Sequence, residues 1–323
     1  MNQQPVLAID LGGTEIKVGI VSGAKVLSMK CIPAFSDKGL AAALERVETS
    51  AEECLIDAGL HEQSLMGLSM AFAGVVDCDR QKAIGANGKY DDAASVDVSA
   101  WARDRWGLEL VLDNDARMAT VGEWKFGAGT GVDDLVVVTL GTGIGTGVII
   151  DSQALVGSHN RAGILGGHFP VSVESDVQCS CGNRACAESL ASTWALQREL
   201  EARPVSGLLA DTNPQEVGFK ELFQAVEKGD AAATAIAHRM IRVWSTLVVA
   251  LIHAYDPDRV VLTGNVMKSA DAILPDVRSY VNRYAWTPGC QVSVERGEHP
   301  ETAALIGGGH FVSQKMTEQA AAQ

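Results

Sequence analysis

The sequence predicts an α/β protein of two domains with duplicated glycine-loop hairpins. Its 323 residues exceed one ordinary hydrophobic core and suit two average domains. Short apolar runs typical of strands alternate with longer helical patterns, and the order strand, glycine loop, strand occurs twice. We therefore expect an N-terminal domain at 1–120, a larger C-terminal domain at 121–300 and a C-terminal helix at 301–323 that can pack back on the first domain.

The two hairpins open the two halves of the chain. In the first, the apolar run 6–9 ends at Asp10, and the alternating run 16–21 follows two glycines. In the second, the runs 135–140 and 146–150 flank another glycine-rich loop. Superposing Leu11 on Leu140 aligns Ile20 with Ile149, so we interpret the halves as an internal duplication.

The remaining elements follow from hydrophobic periodicity. The predicted helices are 40–58, a helix after Asp115, 272–284 and a last helix from about residue 301, and the further strands are 68–72, 110–112 and 260–262. Proline and glycine between 202 and 218 predict a loop. These strands alternate with helices, so the central sheets should be mostly parallel.

Composition and charge exclude several classes of function. Hydrophobic residues make up 47% and charged residues 20%, the balance of a chain that folds throughout. A formal charge of −14 disfavours nucleic acid or an anionic membrane as a partner. The N-terminus lacks a basic segment followed by an apolar one, so we expect a cytoplasmic protein. The apolar stretch 231–255 contains two arginines and two histidines, which predicts a core helix instead of a membrane span.

Both glycine loops are candidate phosphate-binding turns. The candidate residues are Asp10, Gly12, Gly13 and Thr14 in the first loop, and Gly141, Thr142 and Gly143 in the second. Glycine lets backbone N–H groups approach phosphate oxygens, and Asp10 could hold Mg²⁺ directly or through water. The alternative is a tight hairpin turn without a ligand. A pair of such loops at matching places favours phosphate binding.

An acidic segment follows the strand at 110–112. Asp113 and Asp115 both lie where an open α/β sheet binds ligands, and either carboxylate could take the proton of an acceptor hydroxyl. The alternative is that the segment only caps the helix that follows. The residues alone leave both carboxylates open as the general base.

A histidine and three cysteines form a candidate metal site. The chain has seven cysteines, an odd number, so a disulfide framework is not expected. His168, Cys179, Cys181 and Cys186 can supply one imidazole and three thiolates, the ligands of a closed, structural zinc site. The alternative is a set of reduced cysteines without metal. A metal-fixed loop would aim the nearby Glu188, which otherwise is an ordinary acidic residue at a helix N-terminus.

These motifs together resemble the ROK family of sugar kinases and repressors. The resemblance rests on Asp10-Leu11-Gly12-Gly13-Thr14, Asn114-Asp115-Ala116, the loop 140–145, Gly167-His168 and the cysteine motif ending at Glu188. It covers nearly the whole chain. It implies the two-lobed actin-like/hexokinase (ribonuclease H-like) fold, ATP and Mg²⁺, phosphorylation of a hexose at its 6-hydroxyl, and a homodimer; polyphosphate is the alternative phosphoryl donor.

The resemblance also implies roles for individual residues. Asp115 matches the family's catalytic base, Asn87, Asn114, His168 and Glu188 match sugar contacts, and Gly264 and Gly307 match turns on the adenosine side. His168 would have two tasks, with one ring nitrogen on zinc and the other toward a sugar hydroxyl.

Two departures from the family pattern stand out. The usual Glu-x-Gly-His is here Leu165-Gly166-Gly167-His168, and the alternative alignment places Ile164 at the Glu position, so a sugar-binding carboxylate is missing. Arg117 stands where the family has asparagine, which places a cation beside the predicted base. The rival interpretations are a repressor, which we disfavour because nine residues precede Asp10 and the charge opposes DNA binding, and a sugar-sensing protein without kinase activity.

Overall fold

The computed structural model describes residues 4–86, 88–202, 207–210 and 212–322. The strands are β1 (Val6–Leu11), β2 (Glu15–Ser22), β3 (Lys25–Pro33), β4 (Leu68–Phe72), β5 (Val75–Asp77), β6 (Lys82–Gly85), β7 (Leu110–Asn114), β8 (Leu135–Leu140), β9 (Ile144–Ile150), β10 (Gln153–Ala154), β11 (Arg259–Thr263) and β12 (Ser293–Arg296). The helices are α1 (Leu40–Ala58), α2 (Val98–Trp106), α3 (Asp115–Phe126), α4 (Ala187–Ala191), α5 (Thr193–Ala202), α6 (Phe219–Glu227), α7 (Ala231–Tyr255), α8 (Ala270–Tyr284) and α9 (Ala303–Ala321).

The chain divides into two compact units. The first comprises Met1–Thr130, Ala154–Ile164 and Glu301–Gln323, and the second comprises Gly131–Gln153 and Leu165–Pro300. The boundary expected at residue 120 falls inside α3, whose apolar face packs on α9. The strand order is β3-β2-β1-β4-β7 in one unit and β10-β9-β8-β11-β12 in the other. In each unit the two strands of the glycine hairpin, β1 with β2 and β8 with β9, are antiparallel. The strands that follow in each sheet are parallel to β1 or β8, which confirms the predicted α/β class.

The two glycine hairpins correspond, but with turns of different length. Leu11 pairs with Ile16 across residues 12–15, whereas Leu140 pairs with Ile144 across residues 141–143. The shorter second turn moves the register of the returning strand by one residue. Ile20 pairs with Leu7, and the matching pair in the second unit is Val148 with Val136. The predicted equivalence of Ile20 with Ile149 is therefore wrong by one position.

Helix α1 shows how the sequence pattern places one layer of the first unit. Its boundaries agree with the helix predicted at 40–58. The four positions that share one helical face, Leu44, Val47, Ala51 and Leu55, are all buried. They belong to the core that this helix forms with β2 and β3. Burying side chains of this size is worth roughly 1.5–3 kcal/mol each, so the apolar stripe holds the helix on the sheet.

Helix α9 lies against α3 at a very close approach. A Cβ atom on Gly307 would lie 1.8 Å from the carbonyl oxygen of Met118, and one on Gly122 would lie 2.1 Å from that of Ala303. Both glycines are therefore needed for the two backbones to come this close. This contact fixes α3, whose first residue is Asp115, within the first unit.

Helix α7 is the main apolar helix of the second unit. It buries eleven residues, among them Trp244, whose indole N–H donates to the carbonyl of Ala191 at 2.8 Å. Within the part of the chain that the structure describes, it is the single helix whose length and composition would suffice to cross a membrane. In its most apolar window 56% is buried inside the protein.

Candidate active site

The carboxylate of Asp10 lies at the carboxyl edge of the first sheet. Asp10 is in register with Ala71 on β4, which in turn is in register with Asp113 on β7. These strands are parallel, so their carboxyl ends share the edge where α/β sheets bind ligands. Burial raises the pKa of Asp10, with the charge of Lys17 acting in the opposite direction. The raised pKa means that the ionised carboxylate is poorly stabilised by its surroundings, and a bound cation would stabilise it.

The first glycine turn is fixed by two side chains. The Tyr90 hydroxyl donates to the carbonyl of Gly12 at 2.8 Å, and the Ser36 hydroxyl donates to the carbonyl of Gly13 at 3.0 Å. A Cβ on Gly12 would lie 2.5 Å from the carbonyl oxygen of Glu15, so the turn needs glycine there. Side chains of the protein thus hold the carbonyl groups of both glycines of this turn.

Asn114 and Asp115 meet at the junction of β7 and α3. Asn114 is the N-cap of α3, since its Oδ1 accepts from the backbone N–H of Arg117 at 3.1 Å. Its amide group donates to the carbonyl of Gly74 and to Asp115 Oδ1, both at 3.0 Å. The capping alternative therefore describes Asn114, while Asp115 starts the helix itself. Both amide hydrogens of Asn114 are engaged, so its Oδ1 is the atom with capacity for a further partner.

The carboxyl group of Asp115 has a raised pKa. The residue retains partial exposure, yet burial and then the nearby charge of Asp10 raise its pKa to about 7. The backbone N–H of Ala116, which donates to Oδ1 at 2.8 Å, and the charge of Lys89 lower the pKa in part. A carboxylate with a pKa near neutrality is largely ionised above pH 7 and still has enough proton affinity to accept a proton from a hydroxyl group.

Asp113, the other candidate, is engaged elsewhere. Its Oδ1 is paired with the guanidinium of Arg117 and accepts from the backbone N–H of Asn114 at 2.6 Å and from the Cys78 thiol at 3.3 Å. Arg117 is 1% exposed. It also donates to the carbonyls of Leu155 at 3.3 Å and Asn160 at 2.9 Å. The arginine is therefore a buried structural link, and the cation that the sequence placed beside the predicted base is paired with Asp113.

The second glycine turn lies against Glu188. Glu188 Oε2 accepts from the backbone N–H of Ile144 at 2.9 Å, and a Cβ on Gly143 would lie 2.5 Å from the same oxygen. The carbonyl of Gly141 accepts from the backbone N–H and the hydroxyl of Thr193, at 3.1 and 2.9 Å. Helices α4 and α5 thus anchor this turn as Tyr90 and Ser36 anchor the first.

The two residues predicted at the family's carboxylate position lie just before His168 and are both aliphatic. Leu165 is 38% exposed, whereas Ile164 is buried. Gly166 and Gly167 press on β9, where a Cβ on Gly167 would lie 1.9 Å from the carbonyl oxygen of Ile144. Neither residue at 164 or 165 can accept a hydrogen bond through its side chain.

The histidine and the three cysteines converge in the second unit. Their four ligand atoms all lie within 4.8 Å of one another. His168 Nδ1 is 3.5 Å from Cys179 Sγ, and Cys181 Sγ is 3.7 Å from Cys186 Sγ. A tetrahedral zinc site with Zn–S bonds of about 2.3 Å has S–S edges of about 3.8 Å. Burial raises the pKa of the Cys186 thiol, and the neighbouring sulfur atoms raise it further, so a cation would favour the thiolate form.

The two glycines expected on the adenosine side differ in setting. Gly264 has a φ of 91° after β11, and a Cβ there would lie 2.4 Å from the carbonyl oxygen of Leu140, next to the second glycine turn. Gly307 lies inside α9, where the close contact with the backbone of α3 at Met118 leaves no space for a side chain. Asn87, expected as a sugar contact, lies outside the described residues.

Two residues that lie at the first glycine turn were not predicted from the sequence. Tyr90 anchors the glycine turn, and the Lys89 side chain lies over Gly13, whose Cβ would be 2.7 Å from the lysine Nζ. The segment Gly88-Lys89-Tyr90 carries no periodicity that would have signalled a long-range contact. Lys89 follows the candidate sugar-binding Asn87 by two residues, which is the signal in the sequence that points to this segment.

Two five-stranded sheets of the same order, each opening on a glycine hairpin with polar residues at the strand ends, define the two-lobed actin-like/hexokinase fold. The chain belongs to the ROK family, whose model matches residues 6–315. A glucokinase of Thermotoga maritima is 28% identical over 325 residues, 98% of this chain and 99% of that protein. The xylose repressor of Bacillus subtilis is 24% identical over 68% of this chain and 53% of its own length. A ROK family glucokinase from Streptomyces griseus, solved in complex with glucose and AMPPNP, has a TM-score of 0.82 and 25% identity, covering 96% of this chain and 99% of that one.

Proposed function

We propose that the protein is an ATP-dependent hexose kinase that transfers the γ-phosphoryl group of ATP-Mg²⁺ to the 6-hydroxyl of a hexose. The observation that carries the proposal is the Asp115 carboxylate, with its pKa of about 7, near Asp10 at the edge of the first sheet. Similarity to proteins named glucokinase over nearly the full length supports it.

In the first unit we assign the proton transfer and the metal carboxylate. Asp115 accepts the proton of the sugar hydroxyl as that oxygen attacks phosphorus, and Asn114 contributes its Oδ1 to the sugar. Asp10 would hold the Mg²⁺ that accompanies ATP and offsets phosphate charge. Phosphoryl transfer depends on positioning and electrostatics, so the anchoring of the first glycine turn, Gly12, Gly13 and Thr14, by Tyr90 and Ser36 supports this assignment.

In the second unit we assign the other nucleotide and sugar contacts. Gly141, Thr142 and Gly143 form the second phosphate turn, and Gly264 lies beside it. Glu188 uses Oε2 for the backbone of Ile144, which leaves Oε1 for a sugar hydroxyl. The Nδ1 atom of His168 faces the cysteines, so Nε2 is the nitrogen assigned to the sugar.

We also propose a structural zinc ion held by His168, Cys179, Cys181 and Cys186. Such an ion would fix the loop that leads into α4 and so aim Glu188, which follows Cys186 by two residues. Family membership, and no feature of the described residues, supports the further proposal of a cytoplasmic homodimer.

Removal of zinc is expected to lower thermal stability as well as activity. Freshly purified, reduced protein should contain one zinc per chain by elemental analysis, and chelation should lower Tm because the metal links residues 168 and 186. Cys181→Ser should lower the zinc content, whereas Cys290→Ser, at an exposed cysteine outside the cluster, should leave it unchanged. Protein without stoichiometric metal would refute the zinc site.

A coupled assay of ADP release tests the function. The panel is glucose, mannose, fructose, allose, N-acetylglucosamine and N-acetylmannosamine, with ATP and Mg²⁺. ADP release that depends on one of these sugars supports the proposal. The similarity to a repressor and the missing carboxylate favour one alternative, a sugar sensor. Sugar binding by calorimetry with no ADP release would establish that alternative.

The aliphatic residue at position 165 is expected to relax sugar specificity. A carboxylate that pairs with a hydroxyl or amide discriminates strongly against analogues without that group, and Leu165 cannot do so. Loss of one such bond costs about 1.5–3 kcal/mol, or roughly ten- to a hundredfold in preference. We therefore expect glucose, 2-deoxyglucose and mannose to have similar kcat/KM values.

The matched variants are Leu165→Glu and Leu165→Gln. Position 165 is partly exposed, so it accepts either side chain, and only the glutamate should sharpen the discrimination. A preference of about a thousandfold or more for one sugar in the unmodified protein would contradict the expectation. Arg117 could not explain such a preference, because its guanidinium is buried against Asp113.

A further inference from the structure

The side chain of Lys89 crosses the bare face of Gly13. A Cβ atom on Gly13 would lie 2.5 Å from the lysine Cε and 2.7 Å from Nζ. The absence of a side chain at position 13 therefore does more than relax the turn. It makes room for the aliphatic stem of Lys89, so the ammonium group lies directly beside the backbone of the first phosphate turn.

Tyr90 holds this lysine in place. The Tyr90 hydroxyl donates to the carbonyl of Gly12 at 2.8 Å, and its backbone N–H donates to the carbonyl of Ser36 at 2.8 Å. Its ring is buried and contacts Phe72 at 6.0 Å between centroids. The residue has a φ of 50°, a conformation rare for a bulky side chain. The segment is thus fixed at both the side chain and the backbone.

The amide of Gly13 is directed away from these anchors. In a trans peptide the N–H points opposite to the C=O of the same unit. The carbonyl of Gly12 is bound to Tyr90, so the N–H of Gly13 points to the other side of the turn. Within the described residues this N–H has no hydrogen-bond partner. An outward N–H beside a lysine ammonium is the arrangement that binds phosphate oxygens.

The charge of Lys89 is available to a ligand. Within the described ranges of the chain, no carboxylate lies close enough to Nζ to form an ion pair. Asp115 lies close enough that the charge of Lys89 lowers its pKa, although other effects raise it. In a chain with a net charge of −14, an uncommitted ammonium at this edge would be a main local attraction for an anion.

We propose that Lys89 is a catalytic residue whose ammonium group binds the transferring phosphoryl group and neutralises its charge. In the transfer, the bond from the γ-phosphorus to the bridging oxygen of ADP breaks and a bond to the sugar oxygen forms. The hydroxyl proton passes to Asp115, and Lys89 keeps its protons and supplies charge alone. This inference rests on the proposed kinase function and adds a group to that site.

The test compares Lys89→Met and Lys89→Gln with the control Lys82→Met. Lys82 is exposed on β6 in the same unit, so its replacement removes an equal charge away from the turn. Removal of one group that stabilises developing charge lowers kcat by about a hundredfold. We expect this loss in both Lys89 variants, with the KM for the sugar changed less than about threefold and Tm retained. Lys82→Met should keep the kcat of the unmodified protein.

A second readout does not depend on turnover. Binding of inorganic tripolyphosphate, measured by calorimetry, should weaken by about tenfold or more in Lys89→Met and remain unchanged in Lys82→Met. If the unmodified protein phosphorylates no sugar of the panel, the kinase proposal fails and this measurement still decides the anion site. If the protein is an active kinase and both Lys89 variants keep kcat within about threefold, the role of Lys89 is wrong and the kinase proposal stands.

Discussion

Asp115→Asn is expected to lower kcat by at least about a hundredfold while the protein keeps its fold and its sugar affinity. The amide cannot accept the hydroxyl proton, yet it can keep the hydrogen bond that Oδ1 accepts from the backbone N–H of Ala116. Its shape is almost the same as that of the carboxylate. The variant should therefore bind glucose by calorimetry and fail in the ADP-release assay.

The pH dependence supplies a second measurement. The pKa of Asp115 is raised to about 7, so the carboxylate is protonated below that pH and kcat/KM should fall as the pH is lowered through it. The raised value also means that the folded state binds this proton more tightly than the unfolded chain. Ionisation above the unfolded pKa thus costs stability, and asparagine removes that cost. Tm of Asp115→Asn at pH 8 should equal or exceed that of the unmodified protein.

Asp113→Asn is the matched control for this prediction. Asp113 is bound to Arg117 and to the backbone of Asn114, so its replacement should reduce stability more than the chemical step. If Asp115→Asn turns over at a near-normal rate while Asp113→Asn does not, the base is Asp113. Equal and large losses of Tm in both variants would show a structural role for Asp115 instead.

Local patterns in the sequence predicted those parts of the fold that depend on neighbouring residues. The apolar period of α1 gave the boundaries 40–58, because one buried stripe both forms and orients a helix. The cysteine motif predicted a cluster since its three cysteines lie within eight residues of one another, and their sulfur atoms converge with the imidazole of His168. Both glycine hairpins were predicted, but the one-residue difference between their turns was not. The alternation of apolar residues indicates the strands and gives no information on how many residues the turn between them contains.

Long-range contacts to the backbone could not be predicted in this way. Tyr90 reaches the carbonyl of Gly12 across 78 residues of sequence, and Arg117 reaches that of Asn160 across 43. Every residue has a carbonyl group, so the sequence contains no signal for which one will accept. The choice between Asp113 and Asp115 as the predicted base depends on the same kind of long-range contact. Arg117, which reaches the carbonyl of Asn160, forms its ion pair with Asp113 and not with Asp115.

Arg117 is the residue whose loss we expect to cost the most stability. Its side chain is 1% exposed, and its guanidinium is paired with Asp113, whose side chain is 10% exposed. It also donates to the carbonyls of Leu155 and Asn160, in the stretch Ala154–Ile164 that belongs to the first unit although it follows β10.

Arg117→Met should therefore reduce the free energy of unfolding by about 3–5 kcal/mol, because it leaves a buried carboxylate unpaired and removes donors from two carbonyl groups. Urea denaturation followed by tryptophan fluorescence measures the loss. The matched control is Arg80→Met, whose arginine is 84% exposed and pairs with Asp77, and which should cost no more than about 1 kcal/mol. Adding Asp113→Asn to Arg117→Met removes the stranded charge and should recover part of the loss. A loss below about 1 kcal/mol for Arg117→Met alone would show that Asp113 finds another partner or water, and that the stretch 154–164 is held in place by its other contacts.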